Sequence, residues 1–318
     1  MRALVTGGGG FIGSHLVERL LSDGHEVCVL DNFATGRREN LVPVAEHVRV
    51  IEGDVQSYER AHAAVLGCEV VFHQAALPSV PRSIQDPLTT NAVNVIGTLN
   101  VLLAARDAGV RRVVFASSSS VYGANRQLPK QETMAPAPMS PYAVGKLAGE
   151  GYCRSFDEVY GLETLVLRYF NVFGPRQDPL SQYSAVIPNF ITAALSGESP
   201  IVFGDGAQSR DFTYVDNVVE ANLLAMDAAV AGGTVLNIAS GKRTSLLEVL
   251  GVLGQLTGRT IQPKHGEARP GEVPHSHANV EQARMFLGFF PRTTFDDGLA
   301  RTVEFFAREV RSADGAFP

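Results

Sequence analysis

The stretch that decides the fold is Ala3-Leu4-Val5-Thr6-Gly7-Gly8-Gly9-Gly10-Phe11-Ile12-Gly13-Ser14. A short apolar run ends in four consecutive glycines, and a helical pattern of Leu16, Val17, Leu20 and Leu21 begins at once. Gly7, Gly10 and Gly13 give a GxxGxxG spacing, in which the missing side chains allow a tight turn, close approach to a pyrophosphate and close packing of helix on strand. The helix start at Phe11 and Ile12 offers unpaired N–H groups and a partial positive charge to phosphates. Asp31 ends the next strand-like run, about 20 residues on, where a carboxylate accepts both hydroxyls of a ribose. A 2′-phosphate there would meet like charge, so the reading is NAD rather than NADP, with Arg37 and Arg38 nearby as the opposing signal. Asp54, closing a third run after Gly53, is a candidate for the adenine edge.

Outward from this loop, short apolar runs alternate with helix-period segments, the mark of βαβ units around a parallel sheet. Strands are expected at Ala3–Thr6, Glu26–Leu30, Val48–Glu52, Val70–His73, Val113–Ala116 and Thr164–Arg168, with a helix on Val95, Leu99, Leu102 and Leu103. Right-handed crossovers then give a Rossmann-type, doubly wound α/β fold. After Phe173-Gly174-Pro175 the rhythm breaks up, so a nucleotide-binding domain is placed at 1–171, rejoined by about 212–240. A smaller C-terminal α/β substrate domain takes 172–211 and 241–318. A helix around Val186–Leu195, another near Asn217–Ala229 and a strand at Val235–Ile238 are expected within these, and the last helix, with Leu299, Val303 and Phe306, reads as packing.

Composition bounds the partners. The 318 residues are 45% hydrophobic and 19% charged, which supports a packed core and not disorder. A formal charge of -6 argues against nucleic acid and anionic membranes, whose binding needs concentrated Lys and Arg. No continuous apolar stretch is expected to reach the roughly 18 residues of a membrane span. Cys28, Cys68 and Cys153 are odd in number and form no CxxC, so neither disulfides nor zinc are expected, and the histidines show no metal spacing. His73 is placed in packing against the cofactor site. Met1-Arg2 leads straight into the first strand without a leader pattern, and the expectation is a cytoplasmic protein.

The chemistry points to two segments. In Ser140-Pro141-Tyr142-Ala143-Val144-Gly145-Lys146, Tyr142 and Lys146 are i and i+4 on one helix face. A tyrosine titrates near 10, so making it a base at neutral pH takes a shift of about three units, or roughly 4 kcal/mol. A nearby ammonium and an oxidised nicotinamide can supply this in a low-dielectric pocket. Upstream, Val113-Val114-Phe115-Ala116 feeds Ser117-Ser118-Ser119-Ser120-Val121-Tyr122-Gly123, so hydroxyls gather at a strand's carboxyl end, the ligand edge of a parallel sheet.

With these motifs in view, the chain resembles the extended short-chain dehydrogenases/reductases, and within them the nucleotide-sugar 4-epimerases acting on UDP-galactose and UDP-N-acetylglucosamine. The likeness runs through TGGGGFIGSHL (6–16), DNFATG (31–36), HQAALPSVPRSIQDP (73–87), SSSSVYG, SPYAVGK, LRYFNVFGPRQDP (167–179) and GDGAQSRDFTYVDN (204–217). The resemblance implies Ser118 as catalytic serine, Tyr142 as base and Lys146 as the partner that holds the cofactor ribose. It extends the cofactor set to Asn32, Val55, Ala75, Ala76 and Asn94. For the UDP-sugar it implies Ser79, Ser118, Ser119, Ser120, Asn171, Gln177, Ala185, Val186, Arg210, Arg269, Glu272 and Ser276, with the two arginines on the diphosphate. The implied reaction is transient oxidation at the sugar C4, with NAD recycled each turn and no metal.

Within that family, dehydratases carry acidic residues just after the catalytic hydroxyl, where this chain has Ser119 and Ser120, and serine is too weak for that elimination. Asp178, after Arg176 and Gln177, stands where glucuronate epimerases present an arginine, so its charge is expected to repel a uronate. Ser276 replaces a bulky gatekeeper and leaves room for a 2-acetamido group, which keeps both N-acetylated and plain hexoses open. A UDP-glucuronate 4-epimerase, a nucleotide-sugar dehydratase or reductase, and a non-enzymatic NAD-binding sensor are the alternatives. The family resemblance also implies a homodimer, through helices near Asn91–Ala108 and Tyr142–Val159.

Overall fold

The structure is a computed structural model that describes residues 1–178, 186–267 and 274–314, with side chains to Arg311. The sequence candidates Ala185, Arg269 and Glu272 lie outside the described residues.

Seven parallel strands form the central sheet: β1 (Arg2–Thr6), β2 (Glu26–Asp31), β3 (Val48–Glu52), β4 (Val70–His73), β5 (Arg112–Ser118), β6 (Glu163–Tyr169) and, returning late, β11 (Thr234–Ile238). Their order is β11-β6-β5-β4-β1-β2-β3. All four residues of β4 are buried, as a parallel strand covered on both faces must be, whereas the edge strand β3 is half exposed. Alternate residues serve opposite faces. Val70 and Phe72 pack with Leu16, Val17 and Leu20 of α1 (Phe11–Ser22), while Val71 packs with Ala61, Val65, Leu102 and Phe156. The second face is covered by α2 (Tyr58–Val65), α5 (Gly97–Asp107) and α6 (Pro141–Tyr160), with α3 (Val80–Gln85) and α4 (Pro87–Asn91) leading into them.

Between α4 and α5 (Gly97–Asp107) lies one turn of π-helix, Ala92–Ile96. The combined helix Pro87–Asp107 is long and apolar enough to meet the length and composition of a membrane span, although half of it is buried in the protein. This corrects the sequence expectation of no such stretch, which counted unbroken apolar runs; here Thr, Asn and Gly interrupt a segment whose average is still apolar.

Beyond β6 the described residues form three small strand pairs, β7 (Val172–Phe173) with β10 (Thr213–Tyr214), β8 (Ile201–Phe203) with β13 (Lys264–Gly266), and β9 (Ser209–Arg210) with β12 (Thr244–Ser245). Helices α7 (Val186–Ser196), α8 (Val215–Asp227), α9 (Leu246–Thr257), α10 (Glu281–Leu287) and α11 (Phe295–Asp314) accompany them among the described residues. Phe173, Phe190, Phe212 and Leu250 belong to the same core as Val5 and Leu16, so the C-terminal portion packs directly on the α1 face of the sheet.

The direction of winding reverses at β1, which pairs with β2 on one side and β4 on the other. At such a switch point the loops after neighbouring strands part and leave a crevice at their carboxyl ends.

Candidate active site

The glycine loop occupies that crevice between β1 and α1. Gly7 has φ +69, and a Cβ there would sit 2.8 Å from the Ala75 Cα, in the loop after β4. A Cβ on Gly13 would run into the Gly7 carbonyl oxygen. The Gly10 N–H donates to Gly7 O at 3.0 Å, and α1 starts at Gly10 with no side-chain cap and no acidic residue in its first turn. Its orphan N–H groups therefore face the loop without a competing side chain, as a diphosphate requires. Residues the sequence reading missed brace the loop. Asn40 Nδ2 and Arg37 N–H both donate to Gly9 O, at 2.8 and 2.9 Å.

Asp31 ends β2, buried, and accepts from Gly9 N–H at 2.8 Å and Phe33 N–H at 2.7 Å. Burial raises its pKa and the two backbone donors oppose that. Asn32 donates to Asp54 at 2.7 Å, which joins the ends of β2 and β3 at the adenosine side; Val55 is buried behind them. The two nearby arginines are engaged elsewhere. Arg38 pairs with Glu52 at 2.6 Å and lies over the Phe33 ring, and Arg37 pairs with Asp178 at 2.8 Å. Neither contact leaves an arginine dedicated to a 2′-phosphate.

On the other side of the crevice, Asn94 sits in the π turn and accepts from Leu77 N–H at 2.8 Å, holding the loop that carries Ala75 and Ala76. Such turns recur at functional sites because they redirect one side chain out of helical register. His73 is fully buried between Thr6 and Thr98 at 2.7 and 3.0 Å, and burial pushes its pKa down to about 3. It is a neutral packing residue next to the loop. Ser79 caps α3, accepting from Arg82 N–H at 3.1 Å.

The catalytic candidates converge. Ser118 is the last residue of β5, and Ser119 and Ser120 begin the 3-10 turn Ser119–Tyr122. Helix α6 (Pro141–Tyr160) starts where Ser140 accepts from Ala143 N–H at 3.2 Å and proline takes the first helical position, and it stops at Gly161 in a left-handed conformation. This brings Tyr142 beside Ser118, whose hydroxyl acts on the phenol. Lys146, one turn later and buried, donates to the Ala116 carbonyl at 2.7 Å and lies over the Phe115 ring. Burial raises the Tyr142 pKa, and the Ser118 hydroxyl pulls it back. Burial brings Lys146 down to about 8, and the Glu150 carboxylate one turn away opposes that. The expected lowering of Tyr142 by Lys146 is therefore not built into the protein alone, where the ammonium donates to the Ala116 carbonyl and not to the phenol.

The sugar-side candidates form a second group. Asn171 adopts φ +35 and its Nδ2 lies 3.4 Å from both Ser276 Oγ and Asp211 O. Gln177 donates to Val172 O at 3.2 Å, while its Oε1 and the Ser120 hydroxyl are buried without a partner. Buried polar atoms of this kind are satisfied by a polar ligand. Arg210 donates to Ser209 O and Pro274 O at 3.1 and 3.0 Å, and Val186 opens α7. The pairing of Asp178 with Arg37 corrects one inference: its charge is answered within the protein, so it does not itself bar a uronate. Among the described residues no group of three or more His, Cys, Asp or Glu is placed to hold a metal.

Comparison with known proteins supplies the deciding observation, a match of residues 3–239 to the NAD dependent epimerase/dehydratase family. The chain belongs to that family. The chain is 41% identical to the UDP-glucose 4-epimerase of Mycolicibacterium smegmatis, over 96% of this chain and 98% of that one. The crystal structure of Thermotoga maritima UDP-glucose 4-epimerase with UDP-glucose superposes with a TM-score of 0.93 at 38% identity, covering 98% of this chain and 100% of that one. The UDP-N-acetylglucosamine 4-epimerase of Methanobrevibacter ruminantium, in complex with UDP-N-acetylmuramic acid, gives 0.92 at 40%, over 97% and 98%. UDP-uronate chemistry occurs among the relatives too, in a decarboxylase at 35% identity and a 4-epimerase structure at 29%. The chain is thus an NAD-dependent nucleotide-sugar enzyme of the epimerase/dehydratase class with a Rossmann-type fold. The glycine cradle, the uncapped helix start and the ribose-side carboxylate fit NAD.

Proposed function

We propose that this enzyme inverts C4 of a UDP-hexose, with UDP-GlcNAc/UDP-GalNAc and UDP-Glc/UDP-Gal as substrates. The observation that carries the reading is the meeting of Ser118, Tyr142 and Lys146 at the carboxyl edge of β5, with Ser119 and Ser120 beside them instead of acids. The glycine loop at Gly7, Gly10 and Gly13, with Asp31 and Lys146, would hold NAD, which would supply the hydride acceptor and donor for C4. Tyr142 removes the 4-hydroxyl proton and gives it back, Ser118 holds that proton's path, and Lys146 fixes the ribose side of the pocket. A neighbouring carboxylate, Glu150, is bound on both oxygens and is no free acid for an elimination. Small polar side chains at Asn171 and Ser276 leave space beside the sugar for a 2-acetamido group. Arg210 and Arg269 supply charge for the diphosphate.

We further infer a homodimer. Ile84, Leu88, Ile96 and Val144 are exposed on neighbouring helices α3 to α6, where a second copy would cover them.

Incubation with UDP-Glc, UDP-GlcNAc, UDP-GlcA and their 4-epimers, read by NMR of the products, tests the assignment. Conversion between 4-epimers is expected, and Tyr142→Phe is expected to lose about 10²–10⁴ in kcat while keeping NAD. Unchanged epimerisation by that variant would sink the mechanism. Conversion of UDP-GlcA alone would move the substrate to a uronate.

A further inference from the structure

Behind the catalytic residues lies a buried ion pair that the reaction as described does not use. Glu150, on α6 one turn beyond Lys146, accepts from Arg168 of β6 through both oxygens, Nε at 2.8 Å and Nη2 at 2.7 Å. Both side chains are nearly fully buried, at 6% and 4% exposure. Arg168 lies over the Tyr122 ring, 4.7 Å from its centroid, and the Tyr122 hydroxyl donates to Asn237 of β11 at 2.7 Å. The same Glu150 carboxylate accepts a short hydrogen bond from the Ser117 hydroxyl.

Strand β5 and helix α6 are consequently joined at three successive places. Ser118 meets Tyr142, the Ala116 carbonyl meets Lys146, and Ser117 meets Glu150. A buried ion pair adds little net stability and is costly to break, so one that ties the catalytic helix to β6 while the same carboxylate holds Ser117 of the catalytic strand is better explained by geometry than by stability. We propose that Glu150 is a positioning residue, which sets the register of Ser118 through Ser117 and answers the positive charge of Lys146 from one helical turn away. The proposal rests on the reading above only for the part that Lys146 plays in turnover.

The charges around Lys146 are few. On its own helix stand Tyr142, Glu150 and Cys153; β4 contributes His73, held neutral by burial; β5 offers the Ala116 carbonyl and the Phe115 ring; β6 contributes Arg168, already paired with Glu150. Glu150 is the one carboxylate among them, so its removal leaves burial to favour the neutral amine.

The chain has four lysines, Lys130, Lys146, Lys242 and Lys264, so 13C-labelled lysine NMR can follow Lys146 directly, assigned by Lys146→Met. The NAD-containing protein is titrated as wild type, as Glu150→Gln, and as Glu150→Gln with Arg168→Met. The double variant removes the guanidinium that Glu150→Gln strands, and it carries the test if the single variant does not fold. Lys146 is expected to titrate about one pH unit below wild type in Glu150→Gln, where the Arg168 charge is left unanswered, and below wild type by less in the double variant, which removes one charge of each sign. The alkaline limb of kcat, where Lys146 loses its proton, should move down with it. A Lys146 titration and a limb that stay in place, with only the melting temperature lowered, would overturn the proposal and leave Glu150 a structural residue. The NMR reading needs no turnover, so a wild type without epimerase activity would count against the proposed function and not against this assignment.

Discussion

Tyr142 has the right neighbours and, in the protein alone, the wrong direction of pKa. Burial raises it, Ser118 opposes that, and Lys146 is occupied with Ala116. The strand-helix framework aligns the hydroxyls and places the ammonium within one helical turn, and the bound cofactor completes the charge that a phenolate needs. On the sugar side the smallest determinant is Ser276, whose hydroxyl lies 3.4 Å from Asn171 Nδ2. Ser276→Tyr should fill the space beside the sugar and lower kcat/KM for UDP-GlcNAc at least about tenfold relative to UDP-Glc. Equal effects on the two substrates, in a side-by-side assay, would show that Ser276 does not set the pocket.

At the scale of elements, the turn between β1 and α1 is the part most fully specified by local sequence. Each glycine has a physical reason in the structure, and Gly13 has the strictest, since any Cβ there meets the Gly7 carbonyl. Gly13→Ala should shift the loop at a cost of about 1–3 kcal/mol, which weakens NAD binding roughly tenfold to a hundredfold. NAD released from denatured protein, measured per chain, should fall, and full retention would show that the loop can yield. The glycine loop and the Tyr-Lys helix were legible in the sequence because each is written within one strand-turn-helix unit. The pairings that complete the site were not. Arg37 and Asp178 are 141 residues apart, Asp211 and Ala278 are 67 apart, and Glu150 and Arg168 lie on different elements, so no local spacing announces them. The π turn that presents Asn94 likewise leaves no mark in a pattern read at 3.6 residues per turn. Asp178 shows the cost of reading charge without partners: its repulsion of a uronate followed from the sequence and ended at Arg37.

For the whole molecule, one continuous core joins the sheet to the C-terminal helices, and the cofactor crevice is built into the same scaffold. That scaffold carries a neutral histidine at its centre. His73 titrates near 6.5 when unfolded but at about 3 when folded, so on acidification the unfolded chain takes up a proton that the folded chain refuses. Stability from this group is full above about 6.5 and falls as the pH drops towards 3, by at most about 1.4 kcal/mol per pH unit. Urea unfolding between pH 7.5 and 5 should show that slope in the wild type and a shallower one in His73→Asn; identical slopes would mean that His73 is not held neutral. The central claim concerns the recycled hydride, and isotope at the reacting carbon tests it most directly. Purified enzyme, with no NAD added, is given a UDP-hexose deuterated at C4, and both epimers are recovered. Deuterium retained at C4 of each 4-epimer is the predicted result. Deuterium lost to solvent, or a 4-keto-6-deoxy product in place of the epimer, would contradict it.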